Sequence, residues 1–421
     1  MREKARDFWG RVSPTAGAWV HWTVLAALTG VVCGAAGSAF SHAITLVTAW
    51  RGQHPWLLLC MPLAGLAIVW LYQVCGMEND SGTNQIIASV RSGQRPPLRL
   101  APLIFIGSVL THLTGGSAGR EGAALQIGGS LACQVGQRVH LGERQMNVEV
   151  MCGMSGLFAA LFGTPLTATV FAMEVVSVGI VHYSALFPCL LTALVSTGVT
   201  VLLGVEGEHY TLSAIPTLGA ASLAQIGVLG VGCALLAMTF CVVVHQTGHW
   251  YAHTFRNPYL RAVVGGVLVV TISLLEGSGD YNGAGGHIIA LAVDEGTVHV
   301  PWAFALKLLL TALTLGAGYR GGEIVPTFFV GATFGCAVAP LLGVDPGFGA
   351  AVCMIALFCG VVNCPLASIF LSVELFGSEG LLFFALACAL SYLLSGKFSL
   401  YSSQKIVYSK LEPRFIDEHA H

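Results

Sequence analysis

Long apolar runs set the first constraint on this chain. Those around Gly17–Val47, His182–Leu203 and Ala224–His245 reach or exceed the roughly 20 residues that a helix needs to cross a bilayer. Between them lie shorter apolar stretches cut by proline and by dense glycine clusters: "GGSAGREG" (115–122), "NGAGG" (282–286) and "GAGYRGGE" (316–323). Single glycines let membrane helices pack closely. Clusters this dense predict helices that stop inside the membrane, which is tolerated only where backbone lines a cavity. The pattern predicts an all-α polytopic membrane protein, some of its helices whole and some broken.

The broken stretches occur twice. "GLFAALFGTPLTATVFAMEVVSVG" (156–179) is matched, at an offset of 200, by "ALFCGVVNCPLASIFLSVELFGSEG" (356–380). Leu157, Phe158, Pro165, Leu166 and Glu174 then meet Leu357, Phe358, Pro365, Leu366 and Glu374. Upstream, Gly116, Gly119 and Glu121 fall on Gly318, Gly321 and Glu323 after a shift of two. Two halves with matching broken helices point to a transport site between them. The expected layout is a cytoplasmic segment 1–17, a transmembrane domain 18–411 with halves at about 18–204 and 220–411, and a cytoplasmic tail 412–421.

Composition sharpens the class. The chain is 55% hydrophobic and 10% charged, whereas soluble domains carry about 25% charge, so a lipid bilayer is its expected surroundings. A net charge of −2 argues against a nucleic-acid partner. The 13 cysteines are scattered singly with no C-x-x-C pair, which reads as small buried apolar residues. The N-terminus is basic and feeds a full-length span, with no cleavable signal. Both ends and the loops "VRSGQRPPLRL" and "FRNPYLR" are cation-rich, while "GVEGEHY" and "AVDEGT" are acidic. The positive-inside rule puts both termini in the cytoplasm, as a multi-pass protein of the plasma membrane, a bacterial inner membrane being expected.

The candidate chemistry sits at the helix starts. A helix beginning inside the membrane turns free N–H groups and a positive dipole end into its cavity, and so binds anions without a full positive charge. Gly119 and Gly122 expose backbone before the helix that follows, and Arg120 stands at the edge of that loop. Glu121 occupies the start itself, where its carboxylate competes with a substrate anion and is released by protonation. Intramembrane acids are costly enough to suggest function, although a simple helix-start acid paired with Arg120 is the plainer reading. "NDSGTNQ" offers Ser81, Gly82, Thr83 and Asn84, donors that can replace water around an anion or merely cap a helix. Glu323, Ile324 and Val325 open the corresponding second-half helix, and Tyr401 is placed just before a final short helix. Glu174 and Glu374 lie deep in their helices and read as structural.

With "GGSAGREG", "GTPLTATVFAME" and "GGEIVPTFFVGATFG", the chain resembles the CLC family of anion channels and proton-coupled anion exchangers over about residues 18–411. The resemblance implies a fold of two inverted-topology repeats and a homodimer with one pore per subunit; no cytoplasmic CBS domains are expected. It maps Glu121 onto the gating glutamate and Tyr401 onto the anion-coordinating tyrosine. The wording is most similar to the fluoride/proton antiporter branch. The first loop here is "DSGTN" rather than the G-S-G-I-P of chloride members, and Val175 stands where chloride exchangers keep an internal proton-transfer acid. Val325 replaces that branch's usual threonine, and Ser81 aligns with the chloride-type serine.

The resemblance therefore implies a fluoride exporter driven by protons, with Glu121 as gate and proton carrier and Glu323 as a relay near the centre. A chloride or mixed-anion channel, or a chloride/proton exchanger, is the alternative. An enzyme finds no support: His112, His182 and His287 show no H-E-x-x-H spacing and no glycine-rich stretch ends in G-K-[ST]. No cofactor and no metal are expected.

Overall fold

The computed structural model describes residues 2–420 except 213 and 413, with side chains from Gly17 onward. The expected cytoplasmic segment 1–17 therefore lies, apart from its helical backbone and Gly17, outside the described residues. The first half holds α1 (Arg2–Gln53), α2 (Met61–Val74), α3 (Thr83–Ser92), α4 (Leu100–Leu113), α5 (Glu121–Arg138), α6 (Glu143–Phe162), α7 (Pro165–Glu174) and α8 (Leu186–Leu202). The second holds α9 (Ala220–Thr254), α10 (Pro258–Glu276), α11 (Gly286–Asp294), α12 (Ala303–Gly316), α13 (Ile324–Val338), α14 (Pro346–Val362), α15 (Pro365–Phe376) and α16 (Leu381–Leu394). Long and short elements follow the same order in both halves.

Among the described residues, six helices are long and apolar enough to cross a membrane. The span expected from Gly17 runs on to Gln53, and the one expected over Ala224–His245 occupies Ala220–Thr254. At 1.5 Å per residue the latter is about 52 Å long, more than enough to cross a core of about 30 Å. Helices of 9 to 12 residues such as α3, α7, α11 and α15 fall short of that thickness and end within the protein. They are the broken elements.

Glycines let the paired helices touch backbone to backbone. A Cβ on Gly128 of α5 would lie 2.1 Å from the Gly153 carbonyl oxygen of α6, and one on Gly335 of α13 would lie 2.2 Å from that of Gly349 in α14. Between the halves, a buried cluster of rings joins Phe158, Phe171, Phe328 and Phe358, with centroids 5.1 to 6.0 Å apart. All thirteen cysteines are free thiols and eleven are buried.

The matched glutamates of the repeat exchange caps. Glu374, near the end of α15, accepts N–H bonds from Leu166 (2.9 Å) and Thr167 (2.7 Å) at the start of α7, and also the Thr167 hydroxyl at 2.6 Å. Glu174, at the end of α7, accepts from Leu366 (3.2 Å) and Ala367 (2.9 Å) at the start of α15. Proline at the first helical position suits both starts, but the N–H groups behind it need acceptors. Bonds to charged groups contribute about 1.5–3 kcal/mol. Glu374→Ala, which removes three, should therefore lower the thermal midpoint in detergent more than Glu174→Ala, which removes two.

The short helix expected after Tyr401 is not formed. Residues Lys405–Tyr408 are strand β2, which pairs in parallel with Ser177–Val178 (β1) and antiparallel with Phe415–His419 (β3). The run Ile406–Val407 is β-branched and finds a free edge at β1, which favours a strand. Part of the expected tail is thus built into the sheet, held by a Lys405–Asp417 ion pair at 2.9 Å and by a Lys397–Glu418 pair.

Candidate functional site

The two glycine clusters meet at the centre. Gly119 N–H donates to the Gly322 carbonyl and Gly322 N–H to that of Gly119, both at 2.7 Å, forming an isolated antiparallel bridge. A Cβ on Gly322 would lie 2.4 Å from Gly122 N and 3.0 Å from Glu121 N, so only glycine permits this approach. Ser117 ties the first loop to α12 through Thr314 and Thr311, both at 3.1 Å. The starts of α5 and α13 consequently lie together.

Glu121 is fully buried at the start of α5. Its Oε2 accepts the Arg120 N–H at 2.9 Å and its Oε1 lies 3.2 Å from Arg120 Nε. The guanidinium also donates to Glu208 at 3.0 Å, and to Ser41 and the Leu161 carbonyl at 3.3 Å. Arg120 is thus an anchor between α1, α6 and the 205–212 loop, turned away from the centre. Glu323 precedes α13, and its Oε2 is buried with no hydrogen-bond partner among the described residues. A Cβ on Gly122 would lie 2.8 Å from that oxygen, so the glycine gives the carboxylate its place. Ile324 and Val325 are buried in the first turn of α13, and the Val325 side chain packs on Gly119.

The start of α3 closes one side. Gly82 (φ +63°) turns the chain and donates to Asp80 Oδ1 at 3.1 Å. Thr83 is buried; its hydroxyl donates to the Gly122 carbonyl at 3.3 Å and accepts from Gln126 Nε2 at 3.3 Å. Asn84 Oδ1 is committed to the Ser403 N–H at 3.0 Å, and Ser81 is exposed. A cleft of about 210 Å³ opens here, lined by Ser81, Gly82, Thr83, Asn84, Gln126 and Glu323 among others. Tyr401 is buried, its hydroxyl without a partner among the described residues, and the Asn84–Ser403 bond ties its turn to the start of α3.

Glu121, Gly122, Thr83, Glu323, Ile324, Val325 and Tyr401 are therefore brought together, with Ser81 at the mouth, Asn84 serving as a tether and Arg120 outside. Residues the sequence reading passed over do the holding. Gln404 donates to the Val175 and Val362 carbonyls, each at 2.9 Å, and fixes the Tyr401 turn. Arg320 Nη1 pairs with Asp80 at 3.1 Å, locking the first-half loop to the second. Lys307, fully buried, donates to the Tyr281 (3.0 Å) and Gly283 (2.6 Å) carbonyls, while Gly283 N–H reaches the Gly116 carbonyl at 3.1 Å. This accounts for the glycine-rich 280–287 stretch: it braces the loop that carries Glu121. For Arg320 and Lys307 a lone charge in a glycine-rich or apolar segment was the available signal.

The family model described as voltage gated chloride channel matches residues 64–396. The chain belongs to the CLC family. A chloride/fluoride channel protein of Pseudomonas syringae pv. tomato is 36% identical over 394 residues, 92% of this chain and 87% of that protein. An H(+)/Cl(-) exchange transporter of Vibrio cholerae is 24% identical, covering 83% of this chain and 81% of its own. Among solved structures, the crystal structure of a CLC-type fluoride/proton antiporter superposes with a TM-score of 0.89 at 32% identity, covering 92% of this chain and 98% of that one. A slow cyanobacterial Cl-/H+ antiporter shares the fold, with a TM-score of 0.78, 19% identity and coverage of 89% and 94%. The CLC fold accounts for the inverted halves and the broken helices.

Proposed function

We propose that this CLC protein is a secondary antiporter that exports fluoride in exchange for protons, conferring fluoride resistance. The observation that carries the reading is the junction of Glu121, folded onto the N–H at its own helix start, with the unpartnered Glu323 Oε2 and Tyr401 hydroxyl. An ionised Glu121 holds the place of an anion. Once protonated it loses the charge that the helix start favours, and fluoride takes the backbone donors. Tyr401 and Thr83 supply hydroxyl donors along the path, and Glu323 is a second acid beside Gly122 through which a proton is relayed. Fluoride binds water tightly, so strong donors are needed to strip it. Each leaving fluoride exchanges against entering protons.

The working unit of this reading is a homodimer with one pore per subunit, in a bacterial plasma membrane with both termini cytoplasmic. The exposed apolar residues Leu166, Leu366, Phe370 and Leu382 on α7, α15 and α16 suit the subunit contact, and the basic ends suit the orientation. A passive chloride or mixed-anion pathway is the second reading. It is favoured by Val175, a buried valine where chloride exchangers carry an acid, and by Ser81 at the mouth.

Sealed vesicles holding purified protein and loaded with fluoride separate the two. Fluoride efflux should draw protons inward against their own gradient, at a rate that chloride loading does not support. Fluoride efflux without linked proton uptake would end the antiport reading. Preference for chloride would replace it by the second.

A further inference from the structure

At the C-terminal end of α2, Arg261 and Arg320 line one pocket with Tyr72, Gln73, Glu78 and Gly318, and Arg320 also lines the neighbouring cleft that holds Ser81 and Glu323. Its volume is about 100 Å³, enough for several waters or for a small oxyanion. Arg320 lies over the Tyr72 ring at 3.9 Å and spends Nη1 on Asp80. Its Nε is buried with no acceptor among the described residues, and so is the Nε of Arg261. Both guanidiniums line this one pocket. Glu78, exposed on the rim, forms no ion pair with either among the described residues. Buried donors are almost always satisfied, and facing like charges with spare N–H groups call for an anion.

The surroundings say which kind. The outer faces of α2 and α10 expose Leu63, Trp70, Val74, Leu260 and Val267, the apolar flank that lipid tails cover. The same end gathers basic residues: Arg99 donates to the Cys75 carbonyl at 2.9 Å, and Tyr259, beside Arg256 and Arg261, donates to Gln73 at 2.6 Å. Basic pockets between membrane helices suit anionic headgroups, and guanidinium groups suit phosphate geometry.

We propose that Arg261 and Arg320 form a phosphate site for the headgroup of an anionic phospholipid whose tails lie along α2 and α10. Arg320 also holds Asp80, and Asp80 holds the Gly82 N–H. The bound lipid therefore braces the loop that carries Ser81 to Asn84.

The test is the thermal midpoint of the purified, full-length protein in detergent, titrated with phosphatidylglycerol, phosphatidylcholine or inorganic phosphate. Phosphatidylglycerol should raise the midpoint and phosphatidylcholine should not. Arg261→Gln should need about tenfold more phosphatidylglycerol for half the effect, Arg261→Lys should fall between, and Glu78→Gln should need less than wild type. An equal rise with inorganic phosphate, lost in Arg261→Gln, would overturn the lipid and leave a free-oxyanion site. No rise, or one indifferent to both Arg261→Lys and Glu78→Gln, would overturn the site altogether.

Discussion

Glu121→Gln is expected to cut fluoride-driven proton uptake about a hundredfold, the low end of what a positioned proton-transfer group contributes, while the protein stays folded. Glutamine keeps the size of the side chain and one oxygen for the Arg120 N–H that Glu121 Oε2 now accepts at 2.9 Å. It cannot gain and lose a proton, so it can neither carry one nor alternate between charged plug and neutral released arm. Arg120 keeps its bonds to Glu208, Ser41 and Leu161, so the loop remains anchored. The measurement pairs a fluoride electrode with a pH electrode on the same vesicles, with elution in detergent as the folding check. Persisting proton uptake would pass the carrier role to the other acid at the centre, Glu323, and Glu323→Gln would then be the variant that stops it.

Gly322→Ala should reduce fluoride efflux by a similar factor through geometry alone. The added carbon would meet Gly122 N at 2.4 Å and Glu121 N at 3.0 Å, and both are backbone atoms that cannot swing aside. Relief requires the Gly119–Gly322 bridge to open, which moves the first turns of α5 and α13 apart. A displacement of about 1 Å in a positioned site costs on the order of a hundredfold in rate. Gly248→Ala, where an added Cβ meets nothing within 4 Å, is the matched control and should transport normally. Equal fluoride rates for the two variants, at equal protein per vesicle, would show that the bridge does not position the donors.

Much of this architecture was legible because it is local or repeated. Runs of apolar residues mark the spans, glycine clusters mark where helices stop, and the offset of 200 sets Glu174 on Glu374 without any view of their contacts. Their structural reading held, although the exchange of caps between halves could not be seen from spacing alone. What stayed hidden depends on partners far away in the chain. Asn84 spends its oxygen on Ser403, 319 residues on, and Asp80 pairs with Arg320 across 240. The last segment read as a helix because its apolar residues show nothing of the edge at Ser177–Val178 that turns them into a strand. Lys307 gives no sign in the sequence of the Tyr281 and Gly283 carbonyls it holds, and these account for the 280–287 stretch.

The exchanged glutamate caps carry a consequence for how the protein is made. During synthesis the N–H groups at the start of α7 must wait for Glu374, 208 residues downstream of Leu166, so the half made first cannot finish its own helix. Expressed alone, it would leave those donors bare in the membrane or satisfy them with Glu174 from a second copy of itself. A gene encoding only one half could build a symmetric pair in that way, with a single glutamate serving both helix starts. Fusion of two such copies turns a contact between chains into one within a chain, and each half then keeps the cap it lends to the other.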